Sequence, residues 1–461
     1  MRRLVMICVA MTCIATARAQ TGPKILPLDL DKAIELALSD NPTIKVANLE
    51  IERYDYVRKE TVGNLLPNLS ASGQYSYSVV KQEMAKGLSF GADNTITATA
   101  SLSLPLFAPA VYATMKLNKI EMQNAVESAR SSRINLISEV KKAFYNILLA
   151  ERSLKVLRSS EKTIAETVEN TRNMYDNGLA SEYDLLTAEV QLSNLQPTII
   201  QTENSIEVAK MLLKMYLSIP EDVSIAVRGD LDDFSSTIAA GRSAAFSTDI
   251  SENSELRTLE IQESLLRQQL RLNNTQRMPT IAAFGSATYT GNDMVRPNFS
   301  AMMGGGSTGD EGGSGDSGTA STSRAAGSFW WQHPISAGVQ INIPIFSGFR
   351  NTNKNKQIKN AIEQLRLQRD YLSESTSVQV RSSINSIITA RETMYANEKT
   401  VAQAQKAYDI ANTRYQHGAG TILELNSAEL SLTQAKLNYS QAIYDYLSAY
   451  ADYDRILGRE R

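Results

Sequence analysis

Cysteine and histidine are almost absent from this 461-residue chain, with two of each: Cys8 and Cys13 near the start, His333 and His417 far apart. No Cys/His metal cluster, thiol redox centre, disulfide scaffold or Cys-His catalytic pair can be assembled from that set. A basic excess is missing as well. The chain carries 47 basic and 49 acidic side chains, and removal of Arg2, Arg3 and Arg18 with a leader would put the acids further ahead. With no sustained basic patch to neutralise a phosphate backbone, nucleic acid is excluded as a partner. Long apolar runs are also lacking: after Ala19 nothing approaches the roughly 20 residues a helix needs to cross a hydrocarbon core. Any membrane-inserted part must therefore be a β-barrel. The carboxylates are dispersed over helix faces and neither histidine has a discernible serine or acid partner, so no enzyme activity, metal or cofactor is expected.

The first residues read as an export signal spanning 1–19. Met1, Arg2 and Arg3 give a basic start, Leu4 to Ala15 an apolar run, and Ala17-Arg18-Ala19 a small-x-small exit before Gln20. Lipidation is disfavoured, because Ala10-Met11-Thr12 before Cys13 is not a leucine-led small-residue motif.

Two stretches lack helix breakers. After Pro109 neither proline nor glycine recurs through Met174, and none occurs from Arg350 to His417. At 1.5 Å per residue each predicts a helix of about 100 Å, far beyond what one globular core covers. Such helices must lie side by side as coiled coils or stacked hairpins. Each is followed by a glycine turn, at Gly178 and Gly418, and a second helical run over Glu182 to Leu217 and Ile422 to Leu457. Ser181 and Thr421 stand where an N-cap oxygen is needed. In the last run Leu425, Leu432, Tyr439, Tyr446 and Tyr453 recur every seventh residue. The adjoining line, Ile422, Glu429, Lys436, Ile443, Tyr450 and Leu457, is broken by two charges.

Strands are few. Apolar residues alternate with serine, threonine or other small polar residues over about 69–80, 95–106, 280–290 and 335–346. Segments of about ten residues with one apolar and one small polar face suit a barrel with lipid outside and water inside. Half-buried hairpins of a soluble domain give a similar pattern. Four strands cannot close a membrane barrel, and an open sheet in lipid leaves unpaired backbone groups, so several chains would have to share one.

The two halves repeat. Ala33 to Asn41 and Pro67 to Gly73 align with Ala245 to Asn253 and Pro279 to Gly285 at an offset of 212. Leu102 to Phe107 aligns with Ile341 to Phe346 at 239, and Tyr175/Gly178 with Tyr415/Gly418 at 240. Each repeat, 20–230 and 231–461, reads helix, strand, strand, long helix, glycine turn, helix. The jump in offset falls in a Gly/Ser-rich tract within 297–329, expected as a mobile loop at extracellular strand tips; it lacks the lysine of a phosphate-binding loop. Trp330, Trp331 and His333 follow it and fit either a membrane interface or local loop packing. His417, in the second turn, fits a pH sensor or an ordinary turn residue.

The repeat, the proline-phenylalanine strand ends and the tyrosine-x-x-glycine turns resemble the TolC-like outer membrane efflux protein family. That resemblance implies a mainly α fold with a small membrane β part. Homotrimers in the outer membrane lipid would share a twelve-stranded barrel, four strands per chain, continued by a long periplasmic α-helical coiled-coil barrel. It implies a passive exit duct of a tripartite system, passing small molecules such as drugs or metal ions from an inner-membrane pump of RND or ABC type through a periplasmic adaptor. By the same likeness Gly178, Leu179, Ser181, Gly418, Ala419 and Thr421 form adaptor-docking tips, and Pro105 and Pro344 lie at strand-to-helix joins. The entrance constriction would comprise Glu424, Asp184 and Tyr415. The family's arginine near the second tip is Gly420 here, so that polar lock must be weaker or use another partner, and a second acidic position is Ser427. Three copies of Glu424 around a bore would attract cations; a first-turn glutamate that merely favours the helix dipole is the plainer reading. A type I secretion duct for polypeptides remains an alternative within the family, and a non-conducting envelope coiled-coil protein with structural or adhesive function one outside it.

Overall fold

The computed structural model describes residues 25–80, 82–85, 88–240, 246–293 and 330–460. The export signal at 1–19 lies outside the described residues, as does the Gly/Ser-rich tract at 297–329. In chain order the elements are β1 (Ile25–Leu28), α1 (Leu30–Asp40), α2 (Pro42–Gly63), β2 (Asn68–Tyr77), β3 (Gln82–Ala85), β4 (Leu88–Phe90), β5 (Asn94–Phe107), α3 (Pro109–Asp176) and α4 (Glu182–Leu217). There follow β6 (Ser224–Val227), α5 (Leu231–Ala240), α6 (Ser254–Thr275), β7 (Thr280–Asn292), β8 (Trp330–Gln332), β9 (Ile335–Asn342), α7 (Arg350–Gln416) and α8 (Ile422–Ile456). No described helix is long and apolar enough to cross a membrane.

The chain divides into two compact units. One comprises Met1–Arg53, Met122–Glu263 and Glu363–Arg461; the other comprises Tyr54–Glu121 and Ser264–Ile362. Each repeat therefore contributes to both units.

The first unit is helical. Breaker-free sequence lets α3 run for 68 residues and α7 for 67, and Pro109 sits at the first helical position, where its missing N–H costs nothing. Val140, Phe144 and Ile147 on α3 recur at helical spacing and pack in one buried cluster with Leu213 and Leu217 of α4, Ile387 of α7 and Ile443 and Tyr453 of α8. Each such side chain contributes about 1.5–3 kcal/mol on burial. Ala33 and Ala37 of α1 join this cluster, and β1 pairs in parallel with β6 beside them. Burial, with Asp454 and Asp31 adding to it, pushes the Tyr145 hydroxyl up to about 12, so it stays neutral in the core.

Both repeats are closed in this unit by one asparagine. Asn41 precedes α2, accepts from the Thr43 amide at 2.8 Å and donates Nδ2 to the Tyr216 carbonyl in the last turn of α4 at 2.8 Å. Asn253 precedes α6, accepts from the Glu255 and Leu256 amides at 3.0 Å and donates to the Ile456 carbonyl at the end of α8 at 2.7 Å. One side chain thus satisfies orphan donors at one helix start and an orphan carbonyl at another helix end. The repeats differ just before it: 30–40 is helical, whereas 246–253 is not. There Phe246 packs edge-on against Tyr453, whose hydroxyl donates to the Ser247 carbonyl.

The second unit holds the main sheet, ordered β2-β5-β7-β9 and antiparallel, with β8 beside the far end of β7. No Asp, Glu, Lys, Arg or His occurs in these five strands. The register sorts the side chains by polarity. Ala71, Ala100, Ala287 and Ile335 lie in one cross-strand row, and Leu69, Leu102, Gly285 and Ala337 in the next. The opposite face presents hydroxyls that bond one another across strands: Ser70 with Ser101 at 2.8 Å, Thr99 with Thr288 at 3.3 Å and Ser286 with Ser336 at 2.7 Å. On the apolar side Leu69, Ile335 and Val339 are largely exposed. Also there, Tyr289 stacks on Trp331 and His333, each at 4.8 Å, and Trp331 lies over Gly291, where a Cβ would collide with its ring. At this end Asp293 accepts from the Asp93 and Asn94 amides and from Asn94 Nδ2, tying β7 to the start of β5. Pro105 lies in β5 at a register shift against β7, and Pro344 lies between β9 and α7.

Replacing Asn41 or Asn253 by alanine is expected to cost about 1–3 kcal/mol each. Aspartate should not restore this, because it keeps the cap acceptor and loses the donor to the helix-end carbonyl. Thermal or denaturant unfolding of the purified variants measures both.

Candidate functional site at the two glycine turns

The two tip turns are built alike. Gly178 N–H donates to the Tyr175 carbonyl at 2.8 Å and Leu179 N–H to the Met174 carbonyl at 2.7 Å. Gly418 and Ala419 repeat this to Tyr415 and Arg414, at 3.0 and 2.8 Å. This paired closure needs a left-handed residue, and Gly178 and Gly418 supply it with φ of 70° and 69°. The returning helices start on Ser181 and Thr421, whose hydroxyls each accept the amide three residues on, at 3.2 Å.

The repeats diverge in the side chains around this frame. In the first turn Asp184 reaches back to the Ser181 amide and hydroxyl, at 3.1 and 2.7 Å, completing a reciprocal cap. In the second, the corresponding acid, Glu424, pairs with Arg414 at 3.4 Å, and the same guanidinium donates to the Ala419 carbonyl at 3.0 Å. Gly420 makes room for this, since a Cβ there would lie 3.1 Å from Arg414 Cβ. The counterpart of Arg414 in the first repeat is Met174, which cannot form the clasp.

The tyrosines differ as well. Tyr175 is 41% exposed, whereas Tyr415 is 7% exposed and bonds the buried Thr171 hydroxyl at 2.7 Å. Tyr415 packs with Ile164, Val168, Ala188, Ile422 and Leu425, drawing α3, α4, α7 and α8 together. Asp184 and Tyr415 are not hydrogen-bonded to each other within the chain; each has the partner just named. His417 holds its Nδ1 against the Thr413 carbonyl at 2.8 Å, which makes Nδ1 the donor.

Further along the same seam, Glu429 is 6% exposed and accepts from Ser160 at 2.7 Å and Thr433 at 3.2 Å. Its first-repeat counterpart, Glu189, is bonded instead by Arg172 at 2.6 Å. Burial first, and then Glu429, Asp409 and Glu166, hold the neighbouring Tyr408 hydroxyl above its ordinary value. Sequence reasoning missed Thr171, Arg414 and the buried role of Glu429. The break at Glu429 in the seven-residue line was a usable signal, as was the exchange of Met174 for Arg414 between repeats.

Outside the caps the tips expose apolar side chains: Leu179 in the first turn, Tyr183, Leu186 and Val190 at helical spacing on α4, and Leu423 and Leu430 on α8. Gly178→Ala and Gly418→Ala should each cost about 1–2 kcal/mol through the left-handed backbone. Leu179→Ala, at an exposed position, should stay within about 0.5 kcal/mol. Unfolding midpoints of the three variants check this contrast.

Comparison with known proteins matches the family model "Outer membrane efflux protein" to residues 33–217 and 247–459. The alkaline protease secretion protein AprF of Pseudomonas aeruginosa is 23% identical over 88% of this chain and 79% of its own length. The toluene efflux pump outer membrane protein TtgC of Pseudomonas putida is 24% identical over 87% and 77%. The crystal structure of CusC covers 96% of both chains with a TM-score of 0.72 at 15% identity. The chain therefore belongs to the outer membrane efflux protein family, with the fold of the solved outer-membrane channels it resembles.

Proposed function

We propose that this protein is a passive, homotrimeric exit duct for small molecules, which reach it from an inner-membrane pump of RND or ABC type through a periplasmic adaptor. One observation carries the trimer. The charge-free sheet has an apolar face suited to lipid and a hydroxyl face suited to water, yet β2 and β9 each leave one edge unpaired among the described strands. Hydrocarbon does not tolerate such edges, and β9 of one copy joined to β2 of the next, repeated around a closed ring, removes them. The apolar face meets outer membrane lipid and the hydroxyl face lines the bore.

In this reading the glycine turns form the periplasmic entrance. Gly178, Leu179, Ser181, Gly418, Ala419 and Thr421 meet the adaptor, with the exposed stripe from Leu179 to Val190 adding apolar contact. Asp184, Tyr415 and Glu424 stand at the constriction, and Pro105 and Pro344 at the joins between strands and helices. Arg414 offsets Glu424 in the same chain, so the cation preference of an acidic ring is partly masked. The likeness to a toluene efflux component supports small-molecule cargo. The likeness to a protease secretion protein favours a second reading, a duct for secreted polypeptides, which differs in the pump and adaptor recruited.

The first test combines oligomeric mass in detergent with single-channel conductance in planar bilayers. Cysteine pairs placed on β2 and β9 should crosslink neighbouring copies up to trimers. Glu424→Ala should reduce cation selectivity and Arg414→Met should increase it. A monomer, or a folded and inserted protein that does not conduct, would overturn the proposal. Co-purification with an RND-type rather than a secretion-type adaptor would decide between the two cargo readings.

A further inference from the structure

The hydroxyl face of the sheet carries two aromatic residues out of keeping with it, Trp330 at its end, opposite Asn292, and Phe284 within it. Along β7 the residues of this face are Thr280, Ala282, Phe284, Ser286, Thr288, Thr290 and Asn292. Across from Phe284 stand Ser103 on β5 and Gly338 on β9. A phenylalanine here is 42% exposed on the side read as water-filled, whereas one position either way would have put it on the apolar face. Glycine opposite it leaves the ring room: a Cβ on Gly338 would lie 3.1 Å from the Phe284 ring. The ring therefore lies over the neighbouring strand, with one side on backbone and the other open.

The surrounding wall is neutral. Six of its hydroxyls are hydrogen-bonded to one another across strands, at Ser70–Ser101, Thr99–Thr288 and Ser286–Ser336. No strand of this sheet carries a charge. Such a wall has no charge with which to select anions or cations, and Phe284 gives its interior an exposed aromatic surface.

We propose that Phe284 is a contact point for planar aromatic solutes inside the β passage, and that this passage discriminates by aromatic surface and not by charge. The inference rests on the reading of the hydroxyl face as the bore. In a closed trimer three Phe284 rings stand at one level around the bore, each a separate contact for a planar solute. Covering Gly338 is the ring's structural task, as an aromatic laid over a sheet glycine commonly does. Leucine would preserve that cover and lose the flat π surface.

The test uses the full-length trimer in planar bilayers, with ethidium as the planar aromatic probe and tetraethylammonium as a cation without a ring. Thr99→Lys first examines the bore itself, because a lysine on a neutral lumen wall should shift the reversal potential toward anion selectivity. Ethidium should block the wild type. Its half-blocking concentration should rise about two- to tenfold in Phe284→Ser and Phe284→Leu, the range expected for one lost aromatic contact, and return in Phe284→Tyr. Tetraethylammonium should act alike on all four. No selectivity shift in Thr99→Lys would overturn the bore reading on which this rests. A shift there, with ethidium failing to block or blocking the leucine variant as it does the wild type, would overturn the role of Phe284 alone.

Discussion

A backbone amide or carbonyl in hydrocarbon has no water to turn to, and in the proposed duct this constraint organises the sheet. It requires every strand edge to find a partner, and it admits only apolar side chains on the face toward lipid. The sheet meets the second demand through its register, which collects alanine, leucine, isoleucine and glycine in continuous cross-strand rows and sends serine and threonine to the other side. The first demand is beyond a single copy, since β2 and β9 each have one neighbour among the described strands. Charge is excluded from all five strands of this sheet although it makes up 21% of the chain.

The helical unit works under a different rule. Water satisfies its exposed backbone, and the cost lies at helix ends and in ordering long helices. Duplication meets that cost twice with the same device. Asn41 and Asn253 each join a helix start to the end of the returning helix of their own repeat. Gly178 and Gly418 close the turns with the same hydrogen bonds and nearly the same φ. What both copies need for folding has stayed the same in both.

Divergence sits on top of that frame. Met174 in one turn is Arg414 in the other, so one acid completes a cap and its counterpart is held by a guanidinium. Glu189 has an arginine, while Glu429, without one, is buried against the hydroxyls of Ser160 and Thr433. A carboxylate in an otherwise apolar seven-residue line makes that seam less favourable than an all-aliphatic one and restricts how α3 and α8 can align. The second turn carries the inward-facing tyrosine and the arginine clasp, and the first carries the longer exposed apolar stripe.

Much of this was legible in the residues. Absence of breakers after Pro109 and from Arg350 specified the long helices, because nothing in those stretches interrupts i to i−4 bonding. Strict alternation specified which strand residues share a face, since the side-chain period of two leaves no freedom once one face is apolar. The offsets of 212 and 240 exposed the duplication and the matching caps at Ser181 and Thr421. Tertiary structure decided the rest. Whether Tyr415 would meet Asp184 or Thr171, and that Glu429 would be buried, depend on which helix faces meet across more than 200 residues of chain. Local pattern specifies hydrogen bonds that close within a turn or along a pleat; the partners of a side chain at a helix seam are chosen by packing, which no local period encodes.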